Sequence, residues 1–151
     1  MKYLLITSLF LILLNGCSYK NAYTSFDMNE TQQLIESNTQ SSKIESNNSV
    51  NAIFTAIYLN NIYKDKKMQN DVFLVSLYIK EKINHYKFKV NGSSMKSMNI
   101  IDNKNIYFPL IKNENSWNKN YIVKFDNRFK DINLTLNING VSSVALNYFR
   151  E

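Results

Sequence analysis

"INLTLNI" (132–138) and "VSSVALNYF" (141–149) stand on either side of Asn139 and Gly140. Both runs are rich in β-branched and aromatic residues. Asn-Gly is the pair that best tolerates positive φ at both central positions of a two-residue primed turn. The spacing predicts a β-hairpin here, and with it an antiparallel neighbourhood.

Working outward, the same texture extends from Val50 to the end of the chain. "NAIFTAIYL" (51–59) and "DVFLVSLYI" (71–79) are nearly continuous apolar stretches, as expected of central strands covered on both faces. Periodicity alone also allows a helix for the first. "HYKFKV" (85–90) alternates, with Tyr86, Phe88 and Val90 on one side and Lys87 and Lys89 on the other. Asn91 and Gly92 then supply a second primed turn. "IYFPLI" (106–111) holds the only proline, Pro109, which cannot donate a ladder hydrogen bond and predicts an edge strand or a bulge. "NYIVKF" (120–125) alternates Tyr121, Val123 and Phe125 against Ile122 and Lys124. About seven strands at this spacing predict an all-β fold, an antiparallel sandwich that is immunoglobulin-like in general architecture, over residues 50–151. A single cysteine cannot make an internal disulfide, so Trp117 and the many Phe and Tyr side chains are expected to hold the sheets together.

The composition bounds the rest. The 151 residues suffice for one domain with extensions, and three glycines and one proline exclude collagen-like and Pro-rich classes. A net charge of +6 is a level that keeps a small domain soluble without a special partner. Lys64, Lys66 and Lys67 cluster in one loop, and Lys80, Lys82, Lys87 and Lys89 around the next hairpin. Interleaved with Tyr63, Tyr78, Tyr86 and Phe88, they suit a polyanion. For an exported chain an anionic envelope glycan or a protein is a more sensible target than a nucleic acid, and simple solvation is the plainer reading.

Residues 1–16 begin with Lys2 and continue through an uncharged, mostly apolar run to Leu14, which predicts a secretory signal peptide too short to span a bilayer. Leu14, Asn15, Gly16 and Cys17 together resemble the lipobox of bacterial lipoproteins, with Asn15 departing from the usual small or aliphatic residue. The resemblance implies cleavage between Gly16 and Cys17 and a diacylglycerol on the Cys17 thiol. The alternative is an ordinary signal peptide that leaves a free thiol. At about 0.8 kcal/mol per buried methylene, two or three acyl chains hold a protein on a membrane durably. Ser18 stands where aspartate would resemble an inner-membrane retention signal, so the expected location is the outer membrane, periplasmic or surface-facing.

Residues 17–49 are dominated by Ser, Thr, Asn and Gln and are expected to form a flexible tether, with a typical reach of about 30 Å. The spacing allows a short helix within it, capped by Asp27 with Glu30 three residues on. "DMNET" (27–31) and "ESNNS" (45–49) resemble the extended glycosylation sequon used by the oligosaccharyltransferase of Campylobacter and its relatives, which makes Asn29 and Asn47 candidate glycosylation sites. A third match, "DINLT" (131–135), falls in a predicted strand, where a folded backbone would resist the enzyme.

Catalytic patterns find little support. "SSMK" (93–96) and "SWN" (116–118) echo motifs of penicillin-binding proteins, but no K-T-G strand accompanies them. His85 is the sole histidine, which leaves a His-pair metal site and a His-based triad without partners. Glu81, Asp102, Glu114 and Asp126 are scattered among lysines. No cofactor and no metal are expected. The mature part is similar in architecture and composition to small β-sandwich lipoproteins of Campylobacter-type bacteria. The expected function is a membrane-anchored, non-enzymatic binding or envelope-assembly domain. The alternatives are a surface adhesin and an accessory lipoprotein of a secretion machine.

Overall fold

The computed structural model describes residues 28–46, 48–66, 68–80, 85–111, 115–126 and 128–151. Gly16, Cys17, Asp27, Asn47, Lys67, Glu81, Lys82 and Glu114 lie outside the described residues. The chain divides into two units, Met1–Gln33 and Leu34–Glu151.

The described part of the first unit starts a helix, α1 (Glu30–Ser37). Asn29 caps it. Its Oδ1 accepts from the Gln32 N–H at 2.9 Å, while Gln32 Oε1 accepts from the Asn29 N–H at 3.1 Å. This is the reciprocal capping box expected of the stretch, made two residues downstream of the Asp27 and Glu30 pair.

The second unit is an all-β sandwich. One antiparallel sheet takes the order β1-β2-β3-β7-β6, from β1 (Thr39–Ser46), β2 (Ser49–Tyr58), β3 (Asp71–Ile79), β7 (Lys119–Phe125) and β6 (Ser97–Ile100). The other runs β10-β8-β4-β5, from β10 (Leu146–Phe149), β8 (Asp131–Ile138), β4 (Tyr86–Val90) and β5 (Ser93–Ser94), with β9 (Val141–Ser142) also on β8. Alternation decides the facing residues. Phe54, Tyr58, Phe73, Val75, Val123 and Phe125 from the first sheet meet Phe88, Val90, Ile132, Leu134 and Leu136 from the second in one core. Phe54 and Phe88 touch across the sheets edge-to-face at 5.4 Å between centroids.

Both Asn-Gly turns form as expected. Asn91 and Gly92 have φ of 47° and 81°, Asn139 and Gly140 of 49° and 87°, the positive pairs of a primed turn. Beyond the second turn the expected single strand is interrupted. The register on β8 slips by one residue between β9 and β10, and Ser143 fills the bulge.

Three expectations need correction. The sheet begins at Thr39 rather than at 50, so part of the expected tether is a strand. Only Ile44 of β1 is buried among apolar residues, and two of its polar side chains reach backbone on or just before β10 instead. Gln40 exchanges two hydrogen bonds with the Asn147 backbone, at 2.5 and 3.1 Å, and Ser42 Oγ donates to the Val144 carbonyl at 3.0 Å. A side-chain amide thus stands in for a ladder pair and covers a sheet edge. Next, "IYFPLI" is not a strand. Pro109 sits in the first turn of a 3-10 helix (Phe108–Leu110), where its fixed φ fits and its missing N–H is not needed. Finally, Trp117 contributes nothing to the core, being 75% exposed.

Candidate functional site

Sheet registers define the outer face of the first sheet row by row. Thr39, Ile57, Leu74 and Ile122 are cross-strand partners in one row, Ser41, Thr55, Ser76 and Asn120 in the next, and Lys43, Ile53 and Tyr78 in the third. Ile57, Leu74 and Ile122 of the first row are apolar and form a second core under a cover. Ile35 of α1 and Ile101, Tyr107, Leu110 and Ile111 of the segment between β6 and β7 pack on Ile57, Leu74 and Ile122. This accounts for the nearly unbroken apolar run of β3, whose two faces enter different cores.

The second row is a polar stripe that crosses four strands, about 14 Å at ordinary strand spacing. Ser41 and Thr55 share a hydroxyl hydrogen bond of 2.7 Å, and Asn118 Nδ2 donates to Ser76 Oγ at 3.0 Å. At the covered end, Asn120 is 8% exposed and its Oδ1 is the buried side-chain polar atom that has no hydrogen-bond partner among the described residues. An amide oxygen left so is costly, on the order of 1–3 kcal/mol.

Trp117 stands beside this stripe. Asn115 Oδ1 accepts from the N–H groups of Trp117 and Asn118, at 3.2 and 2.9 Å, so a side-chain turn fixes the backbone that carries the indole. The result is an open groove of about 550 Å³ lined by Ile53, Thr55, Ser76, Tyr78, Asn115, Trp117 and Asn118. Past Thr55, Ser76, Asn115 and Asn118 it continues into a cavity of about 240 Å³ that ends on Ile35, Ile57, Leu74, Leu110 and Ile111. Among the described residues, Glu36 is the one charged side chain on either lining.

Of the residues singled out from the sequence, Tyr78, Trp117 and Asn118 line the groove, and the other described ones lie elsewhere. Asn29 uses its carbonyl oxygen for the helix cap, and the side-chain nitrogen is the atom a sequon enzyme would take. Asn133 is inside the ladder of β8, paired with Asn147. Ser93 and Ser94 belong to β5, and Lys96 pairs with Asp126 at 2.6 Å, which holds the Asp126 carboxyl below its ordinary range. The "SSMK" serines therefore sit on a strand, without the helix that acylation needs. The lysines disperse. Lys64 pairs with Glu151, Lys80 donates to Ser49 Oγ at 2.8 Å, and Lys66 lies 4.7 Å from the Tyr63 ring centre and 5.5 Å from that of Tyr107. His85 is exposed. Among the described residues, three or more His, Cys, Asp or Glu side chains nowhere converge as metal ligands would, and no helix is long and apolar enough to cross a membrane.

The groove was missed because its parts are ordinary letters. Trp117 reads as core when taken alone, and Ser41, Thr55, Ser76 and Asn120 are spread over 80 positions. Comparison with protein-family models, curated protein sequences and solved structures finds no match to this chain.

Proposed function

We propose that this chain is a membrane-anchored binding protein without enzymatic activity, whose ligand lies in the groove across the outer face of the β1-β2-β3-β7-β6 sheet. One observation carries the reading: an indole that is 75% exposed is held by a fixed turn over a polar stripe, at the mouth of a cavity. A large aromatic side chain left in water on a rigid support is characteristic of recognition surfaces, and a few polar groups beside an apolar pocket set orientation. The lipobox at Leu14, Asn15, Gly16 and Cys17 supports attachment through acyl chains on Cys17, and Ser18 supports the outer membrane. The sequons support glycosylation at Asn29 and Asn47 in a host with the enzyme.

Crosslinking in intact cells tests the groove. A benzophenone amino acid in place of Tyr78 is expected to trap a ligand, and the same group in place of Lys87, on the opposite sheet, is not. Equal capture at both positions, or none at Tyr78, refutes the assignment. The anchor is tested separately by growth on labelled palmitate, with Cys17→Ser as the control that loses the label.

A further inference from the structure

The ligand class follows from what lines the Trp117 end of the groove. We propose that this end binds a neutral oligosaccharide, one sugar ring stacked on the Trp117 indole and its hydroxyls held by Asn115, Asn118, Ser76 and Thr55; this rests on the reading of the groove as the binding site. Among the described residues no charged side chain lines this end. Among the described lining residues a polyanion finds no lysine or arginine to replace its counterions and a cationic segment finds no carboxylate, and Lys43 in the row of Ile53 and Tyr78 is paired with Glu45 at 2.7 Å. A peptide strand would instead add along an open sheet edge, whereas the polar stripe runs across strands on a sheet face. A lipid tail would leave those hydroxyls and amides unpaired.

A sugar satisfies both halves of the surface. Its ring carries a face of C–H groups that suits the electron-rich face of an indole. Its rim of hydroxyls, each able to donate and accept, matches amide and hydroxyl side chains that do the same. Trp117 is exposed, Ile53 beside it is 44% exposed, and the Asn115 turn holds the indole's backbone in advance, so little ordering is left for the ligand to impose.

Trp117 is the only tryptophan in the chain, so its fluorescence reports this site alone. The full chain, purified in a sugar-free zwitterionic detergent, is titrated with chitotetraose, maltotetraose and cellotetraose up to about 10 mM, beyond the weak end of specific affinity. The expected result is a saturable blue shift of the emission with at least one of them. By calorimetry the same sugar binds Trp117→Phe with an aromatic face retained, and Trp117→Ala at least about tenfold more weakly. Asn118→Ala also weakens it, while circular dichroism and the melting temperature of all three variants stay unchanged. No shift with any of the three sugars, undiminished binding by Trp117→Ala, or a preference for a heparin tetrasaccharide overturns the proposal. If crosslinking at Tyr78 succeeds while every sugar fails, the groove keeps its role and the oligosaccharide is discarded. If crosslinking at Tyr78 also fails, both fall.

Discussion

Asp71 has no exposed surface, and three groups gather around its carboxylate. Tyr58 donates its hydroxyl to Oδ1 at 2.7 Å, the Phe129 N–H reaches Oδ2 at 3.4 Å, and Arg150 contacts Oδ1 through Nη2 and Tyr58 through Nε at 3.1 Å. Burial works against the Arg150 charge, but the hydrogen bond to Tyr58 and the Asp71 carboxylate outweigh it and raise its pKa. Removing one member of a buried pair strands the other. Arg150→Ala is expected to cost about 3 kcal/mol in urea unfolding, and an unchanged midpoint would contradict the arrangement. Burial, followed by the hydrogen bond to Asp71, also raises the Tyr58 pKa well above the ordinary phenol value. Burial raises Tyr148 likewise, and burial with the Tyr86 hydroxyl raises Tyr121. Each phenol keeps its proton more firmly in the fold than in the unfolded chain. The stability this gives is complete below about pH 10 and is lost as pH rises from there toward the folded values. Unfolding midpoints are expected to hold from pH 8 to pH 10 and then fall, less steeply in Tyr148→Phe; a midpoint constant up to pH 11.5 rules this out.

At the scale of elements, the hairpins were legible and the interruptions were not. Asn-Gly pairs announce a primed turn because few other residues accept positive φ at both positions. Nothing local announces the bulge that follows β9. It exists because Ser143 can replace a ladder partner. Its Oγ accepts from the Leu136 N–H at 3.0 Å and donates to the Val144 carbonyl at 2.9 Å, while its own N–H reaches the Leu136 carbonyl at 2.8 Å. Ser143→Ala leaves the Leu136 N–H without its acceptor. A loss of about 1–3 kcal/mol is expected, together with faster amide exchange at Leu136, and unchanged exchange there would remove the Ser143 hydroxyl from the ladder. Strand β1 was unreadable for a related reason. "TQSSKIES" has no apolar period; it pairs along its length with β2, and Gln40 and Ser42 add backbone partners at Asn147 and Val144, roughly 100 residues away in sequence.

For the molecule as a whole, the two sheets are joined by aromatic packing and a few buried hydroxyls. Phe73 stacks edge-on against Phe125 and Tyr148, and the Tyr148 hydroxyl crosses to the Ala56 carbonyl at 2.7 Å. Tyr86 and Tyr121 join hydroxyls at 2.8 Å between the sheets. Phe88 is fully buried against Phe54. Phe88→Ala is therefore expected to destabilise by about 3–5 kcal/mol, read from urea or thermal unfolding, with a smaller loss pointing to collapse of the inter-sheet gap. No disulfide is needed for this join, because aromatic side chains from both sheets reach the same layer.

Periodicity and turn letters were enough to specify an antiparallel sandwich, since strand alternation and Asn-Gly turns depend only on neighbours along the chain. Registers depend on partners far away. Pairing Thr55 with Ser76, and Ser76 with Asn120, is what turned isolated polar residues into a stripe. The same long-range pairing placed Trp117 outside the core and above that stripe, because the outer face of the sheet is already filled at one end by α1 and the segment between β6 and β7. Local chemistry settled the kind of fold, and only three-dimensional packing settled which surface was left open.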